Sequence, residues 1–112
     1  MFKDVEATND VYIDKLLNDP TFVTDDEGNL YKKSNDEFIK IGGLDCYGYV
    51  IYRPRWNNGR RVKIAVHRVI YAKYHGALDP KKVVDHINGN RADNRPSNLR
   101  LISWEENRQH RN

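Results

Sequence analysis

The chain has 112 residues, of which 38% are hydrophobic and 31% charged, with a formal net charge of +3. A chain of this size builds one modest core and not two, and its composition is polar without being that of a disordered segment. No stretch approaches the roughly 20 apolar residues of a membrane-spanning helix, so no membrane partner is expected. No basic-then-apolar signal opens the chain, and Cys46 as its one cysteine excludes an internal disulfide or a cysteine-clustered zinc site. The expected setting is a reducing cytoplasm, that of a phage-infected host if the gene is a phage's.

Charge divides the chain unevenly. Residues 1–40 hold 5 Lys/Arg against 10 Asp/Glu, while residues 41–112 hold 14 against 6. A basic half next to an acidic one points to a polyanionic partner for the basic part. The acidic part, residues 1–46, carries no catalytic pattern and reads as a scaffold or a dimerisation surface. Within it, residues 9–18 suit a short helix capped by Asp10, with Tyr12, Ile13, Leu16 and Leu17 on one face and Pro20 as the stop. Residues 21–33 read as a hairpin turning at Asp25-Asp26-Glu27-Gly28-Asn29. Phe38, Ile39 and Ile41 add a strand that Gly42-Gly43 breaks.

Residues 47–66 read as a second hairpin. Its first strand is aromatic and β-branched, Asn58-Gly59 is a two-residue turn signal, and Val62, Ile64 and Val66 alternate with Lys63 and Ala65. Arg53, Arg55, Arg60, Arg61 and Lys63 lie around its tip and edge, with Trp56 nearby, and such a set can grip a phosphate backbone. His67–His75 reads as a short helix ended by Gly76, with Val66, Val69, Ile70, Lys73 and Tyr74 on its core stripe. His67, at its start, is read as structural or as a phosphate contact, with Arg68 beside it.

From Val83 the pattern becomes a strand ending at Asp85-His86, a long turn-rich loop, a strand at Leu99–Ile102 and a helix. Ser103 and Glu106 have the spacing of a capping box, which puts Asn107 near the helix start. A ββα unit of this kind brings the end of its first strand to the inner face of its helix. Asp85 and Asn107 then offer hard oxygen ligands suited to Mg²⁺ or Mn²⁺, one ion per site. His86 points to the other side of the strand, toward substrate, where a neutral imidazole can take a proton from water.

The run Asp85-His86-Ile87-Asn88-Gly89-Asn90, with Asp93-Asn94-Arg95, Asn98-Leu99, Glu106-Asn107 and the upstream His67-Arg68-Val69, resembles the HNH endonuclease superfamily. It is most similar to the small phage and intron-encoded homing endonucleases, some of which nick one strand. The resemblance covers residues 47–112. It implies an α+β fold: a ββα-metal unit at 83–111, preceded by a β-hairpin and short helix, with the small mixed part at 1–46 before them. It implies His86 as general base, Asp85 and Asn107 as ligands of one divalent cation, and double-stranded DNA as substrate. Asn98 matches the central asparagine that pins the loop and holds the base through hydrogen bonds. Asn107 stands where many members have histidine, which shifts the metal preference from zinc toward harder cations. Cleavage would leave 5′-phosphate and 3′-hydroxyl ends. Arg91, Arg95, Arg100 and Arg108 surround the unit as candidate phosphate clamps. Asn88, Gly89, Asn90 and Asn94 are read as shaping the loop, and Asp93 as a turn residue or as fixing an arginine.

Two other readings remain: a DNA-binding module without cleavage, and a phage protein that binds a host protein through its acidic arm. A homodimer would turn a nick into a double-strand cut. The helical DNA-reading module that relatives append after the nuclease unit is not expected here, because the sequence stops at Asn112. Target sequence is not legible.

Overall fold

The computed structural model describes residues 10–55 and 59–109, and the side chains of Asp10, Arg108 and Gln109 fall outside that description. The Asp10 cap, Trp56, Asn58 and the Arg108 side chain therefore lie outside the described residues. The fold is α+β, with three small antiparallel sheets and three helices among the described residues.

Helix α1 (Asp10–Leu17) buries Ile13 and Leu16 fully, while Tyr12 and Leu17, expected on the same face, pack against the core only in part. Strands β1 (Phe22–Thr24) and β2 (Leu30–Ser34) form the expected hairpin, with Phe22 opposite Lys32 and Thr24 opposite Leu30. Strand β3 (Glu37–Ile41) adds to the far side of β2 and is one edge of this sheet among the described residues, with Phe38 and Ile39 about half exposed.

Gly42 has a positive φ of 101°, which ends β3 as expected. The next residues do not stay irregular: β4 (Gly43–Leu44) opens a second sheet by pairing with β5 (Val50–Tyr52). The hairpin expected at 47–66 is realised in part. Only Ile51 and Tyr52 pair with β6 (Ile64–Ala65), and an isolated bridge joins Arg55 to Arg61 farther out. Val62, Ile64 and Val66 are all buried, as their alternation requires, but Val66 is already the first residue of the next helix.

Helix α2 (Val66–His75) buries five consecutive residues, Val66 to Ile70. One apolar stripe cannot do this, because five consecutive residues span more than a full turn. The first half of α2 is enclosed on all sides, with β5, β6, β7, β8 and α1 packed around the helix. Its second half leaves the core, so Lys73 and Tyr74, expected on the buried stripe, are exposed.

Strand β7 (Lys82–His86) pairs along its whole length with β8 (Leu99–Ser103), Asp85 opposite Arg100 and His86 opposite Leu99. A 3₁₀ turn at Pro96–Asn98 leads into β8, and α3 (Trp104–Gln109) follows it. The capping box is present in both directions: Ser103 N donates to Glu106 Oε1 at 3.2 Å and Glu106 N donates to Ser103 Oγ at 3.1 Å. One apolar cluster joins Ile13, Leu16 and Leu30 to Val62, Ile64, Val66, Val69, Ile70, Val84 and Leu99, so the core runs across position 46. No described helix is long and apolar enough to cross a membrane.

Candidate active site

The alternation of β7 sends neighbouring side chains to opposite faces. Asp85 is half-buried, and its Oδ2 accepts a 3.0 Å charged hydrogen bond from Arg100 Nε across the β7–β8 ladder. His86 faces the other way and is 7% exposed. Its ring lies 5.0 Å from that of His67 and 6.0 Å from that of Tyr49, and Tyr49 stacks on His67 at 5.4 Å. The opposed directions agree with expectation. The open approach to His86 does not, because the rings of His67 and Tyr49 close around it with Asn94.

The expected holder of His86 is also corrected. His86 Nε2 lies 2.7 Å from Asn94 Oδ1, and Asn94 is itself 3% exposed. With Nε2–H donating to the amide oxygen, the other ring nitrogen, Nδ1, carries the basic lone pair. Asn98 instead pins the backbone on either side. Its Oδ1 accepts from Asn88 N at 3.0 Å, and its Nδ2 donates to Asp93 O at 2.9 Å and Asn88 Oδ1 at 3.0 Å. Its carbonyl accepts from Ile87 N at 2.8 Å. Nothing in an Asp-Asn-Arg-Pro turn distinguishes the asparagine that meets His86 from one that shapes the loop, so the sequence did not reveal Asn94 in this role.

Burial pushes the His86 imidazole below its ordinary value. The nearby His67 acts in the same direction, while the bond to Asn94 and the carboxylates of Asp85 and Asp93 pull back toward the charged form. The net result favours neutral imidazole. The Arg95 guanidinium holds the Asp93 carboxyl far below the usual carboxylate range through a two-pronged pair, Nε to Oδ1 at 2.8 Å and the second nitrogen to Oδ2 at 2.7 Å. Asp93 therefore does fix an arginine.

The candidate phosphate contacts fall into three groups. Arg53, Arg55, Arg60, Arg61 and Lys63 are exposed on the β5–β6 loop. Arg55 bonds Gly59 O and Arg61 bonds Arg53 O, which fixes the loop by its own backbone. Arg91, Arg95 and Arg100 flank the ββα unit, each already engaged: Arg91 with Tyr47 O at 2.8 Å and over the Tyr49 ring, Arg95 with Asp93, and Arg100 with Asp85. His67 and Arg68 are 5% and 3% exposed, so neither lies on a surface a duplex can reach, and the expected phosphate role does not fit them.

Asn107 is half-buried on α3, which packs against both β7 and β8. Among the described residues no group of three or more His, Cys, Asp or Glu is arranged to hold a metal ion. The donors offered by strand and helix are one carboxylate, Asp85, and one amide oxygen, Asn107. That chemistry fits a hard divalent cation completed by water and phosphate oxygens.

The family model for HNH endonucleases matches residues 64–109, from β6 to the end of α3. This segment, the HNH unit, is similar to HNH endonucleases. The chain is also 34% identical over 85 residues to an uncharacterised HNH endonuclease, L247, of Acanthamoeba polyphaga mimivirus, an alignment covering 74% of this chain and 21% of that protein. Its fold is similar to that of the HNH homing endonuclease I-HmuI, solved in a study of DNA binding and cleavage, with a TM-score of 0.65 and 22% identity over 81% of this chain and 51% of the other. The chain thus spans about half or less of the proteins it matches. The HNH unit contains every residue expected in the catalytic and metal roles: Asp85, His86, Asn98 and Asn107.

Proposed function

We propose that the chain is a DNA endonuclease of the HNH type that hydrolyses phosphodiester bonds with His86 as general base and one divalent cation, Mg²⁺ or Mn²⁺. The observation that carries this reading is the pair at the end of β7: a carboxylate and a neutral-favouring imidazole on adjacent residues and opposite faces, inside the HNH unit.

His86 takes the proton of the attacking water at Nδ1, the nitrogen left basic by the bond to Asn94. Asn98 keeps Ile87 and Asn88 in place, so the strand end that bears His86 cannot drift. Asp85 and Asn107 would hold the cation, whose charge offsets that developing on the leaving 3′ oxygen. Arg100 bonds Asp85 in the free protein, and a DNA phosphate gives it a second anion, which lets it release Asp85 Oδ2. The exposed Arg53, Arg55, Arg60, Arg61 and Lys63 supply sequence-independent grip. One such site cuts one bond, so a monomer nicks.

Supercoiled plasmid incubated with Mg²⁺ or Mn²⁺ tests this. The expected product is the nicked circle, lost in chelator and lost with His86→Ala. Direct linear product would show paired sites, as in a homodimer. A gel shift without cutting in either metal would overturn the nuclease reading in favour of a DNA-binding module.

A further inference from the structure

The turn between β1 and β2 lies outside the HNH unit, yet it touches the group that holds His86. The Asp25 carboxylate braces this turn: Oδ1 accepts from Glu27 N and Asn29 N at 3.1 and 2.9 Å, and Oδ2 accepts from the Tyr31 hydroxyl at 2.9 Å. Gly28 N closes it on Asp25 O at 3.2 Å. Gly28 is buried, with φ of +84°. A Cβ at this position would fall on the carbonyl group of Asn94 and 2.7 Å from Arg95 N. The turn backbone therefore rests directly on the Asn94–Arg95 peptide, as only glycine permits. Asn94 in turn holds Nε2 of His86.

We infer that Gly28 is a positioning residue for His86: the braced β1–β2 turn fixes the Asn94 backbone, and Asn94 fixes the direction and tautomer of the imidazole. The loop is then clamped at two successive carbonyls, Asp93 O by the Asn98 amide and Asn94 O by the surface of Gly28. Any side chain at 28 must push either the turn or the 94–95 peptide away. This rests on the reading of His86 as the base, and its structural half can be measured without cleavage.

The test compares Gly28→Ala with Gly76→Ala in the full chain. Gly76 has φ of +108° but nothing within 4 Å of its would-be Cβ, so it carries backbone strain without the overlap. Gly28→Ala is expected to lower kcat for plasmid nicking by roughly 10- to 100-fold with KM little changed, because it misplaces the base and leaves the arginines of the β5–β6 loop alone. Gly76→Ala is expected to keep kcat within about twofold, as nothing that touches the site is altered. Asn94→Ala should lose as much as Gly28→Ala, and the double variant no more than Asn94→Ala alone. Imidazole ¹⁵N spectra at pH 8 should show one tautomer, protonated at Nε2, in the parent and a mixture in Gly28→Ala. An unchanged spectrum and kcat in Gly28→Ala, or full additivity with Asn94→Ala, overturns the inference. If Gly28→Ala does not fold, Asp25→Asn loosens the turn without overlap, and an unchanged His86 spectrum there overturns it as well. If the parent does not cut DNA, the nuclease reading falls while the spectra still decide the role of Gly28.

Discussion

The loop that joins β5 to β6 and the loop that joins β7 to β8 are both long, polar and supplied with arginine. The one between β5 and β6 is braced by its own backbone: Arg55 to Gly59 O, Arg61 to Arg53 O, Val62 N to Pro54 O, and a bridge between Arg55 and Arg61. The one between β7 and β8 is tied to everything around it. Asn88, Asp93, Asn94 and Asn98 bond one another, the strand end and His86, and Gly28 presses on it from another sheet. The first keeps its cations exposed, which suits gripping a polyanion whose sequence is immaterial. The second gives up exposure to hold a few atoms still, which suits chemistry. Similar composition thus serves opposite mechanical ends.

The largest expected effect that tests this contrast is at His86. His86→Ala should reduce nicking by roughly 10²- to 10⁴-fold while binding in a gel shift persists. Parental cutting by this variant would remove His86 from its role. Next comes Asn98→Ala, which strands Asn88 N and Asp93 O. It should cost about 1–3 kcal/mol of stability in urea titrations and slow cleavage as well. A neutral result would show that the braced loop holds without its central amide.

The acid side gives a smaller, graded effect. The folded value of His86 lies below that of the unfolded chain, so below about pH 6.5 the unfolded state binds more protons. Stability from this group is complete above that pH and is lost as pH falls through the folded value, with a limiting slope of about 1.4 kcal/mol per pH unit. The parent should lose stability over this window relative to His86→Asn, and the cleavage rate should hold to a lower pH than an ordinary histidine allows before it falls. A rate that halves near pH 6.5 or above would contradict the buried, neutral imidazole. The smallest effect belongs to the open loop. Replacing Arg60 and Arg61 with alanine should weaken DNA binding on any sequence and flatten its salt dependence by about one unit of slope for each phosphate no longer neutralised. Stability should change by no more than about 0.5 kcal/mol.

Much of the ββα unit was legible because its signals are local. Ser103 and Glu106 announce a helix start by spacing alone, and both bonds form. The polar pair at the end of β7 is set by strand alternation. What stayed hidden depends on distant packing. Residue 28 and residue 94 meet through folding, and no periodicity links them. His67 is open to a structural reading as well as a phosphate contact, and Arg68 reads as a phosphate contact because charge is usually wet, yet α2 is enclosed on every side at its start. Asn94 carries the same letter and the same neighbours as a turn former, and only the ring beside it distinguishes the role.

The outer strand β3 has one more consequence. Among the described residues no strand pairs with its outer side, which carries half-exposed Phe38 and Ile39, the makings of a template on which another extended chain could grow. Glu37 and Lys40 bracket the two apolar residues, and Lys32 and Lys33 stand on the adjoining strand. A newcomer aligning there must strip water from these ionic groups before it gains any ladder bonds, so ionic gatekeepers guard the margin of the sheet against runaway self-association.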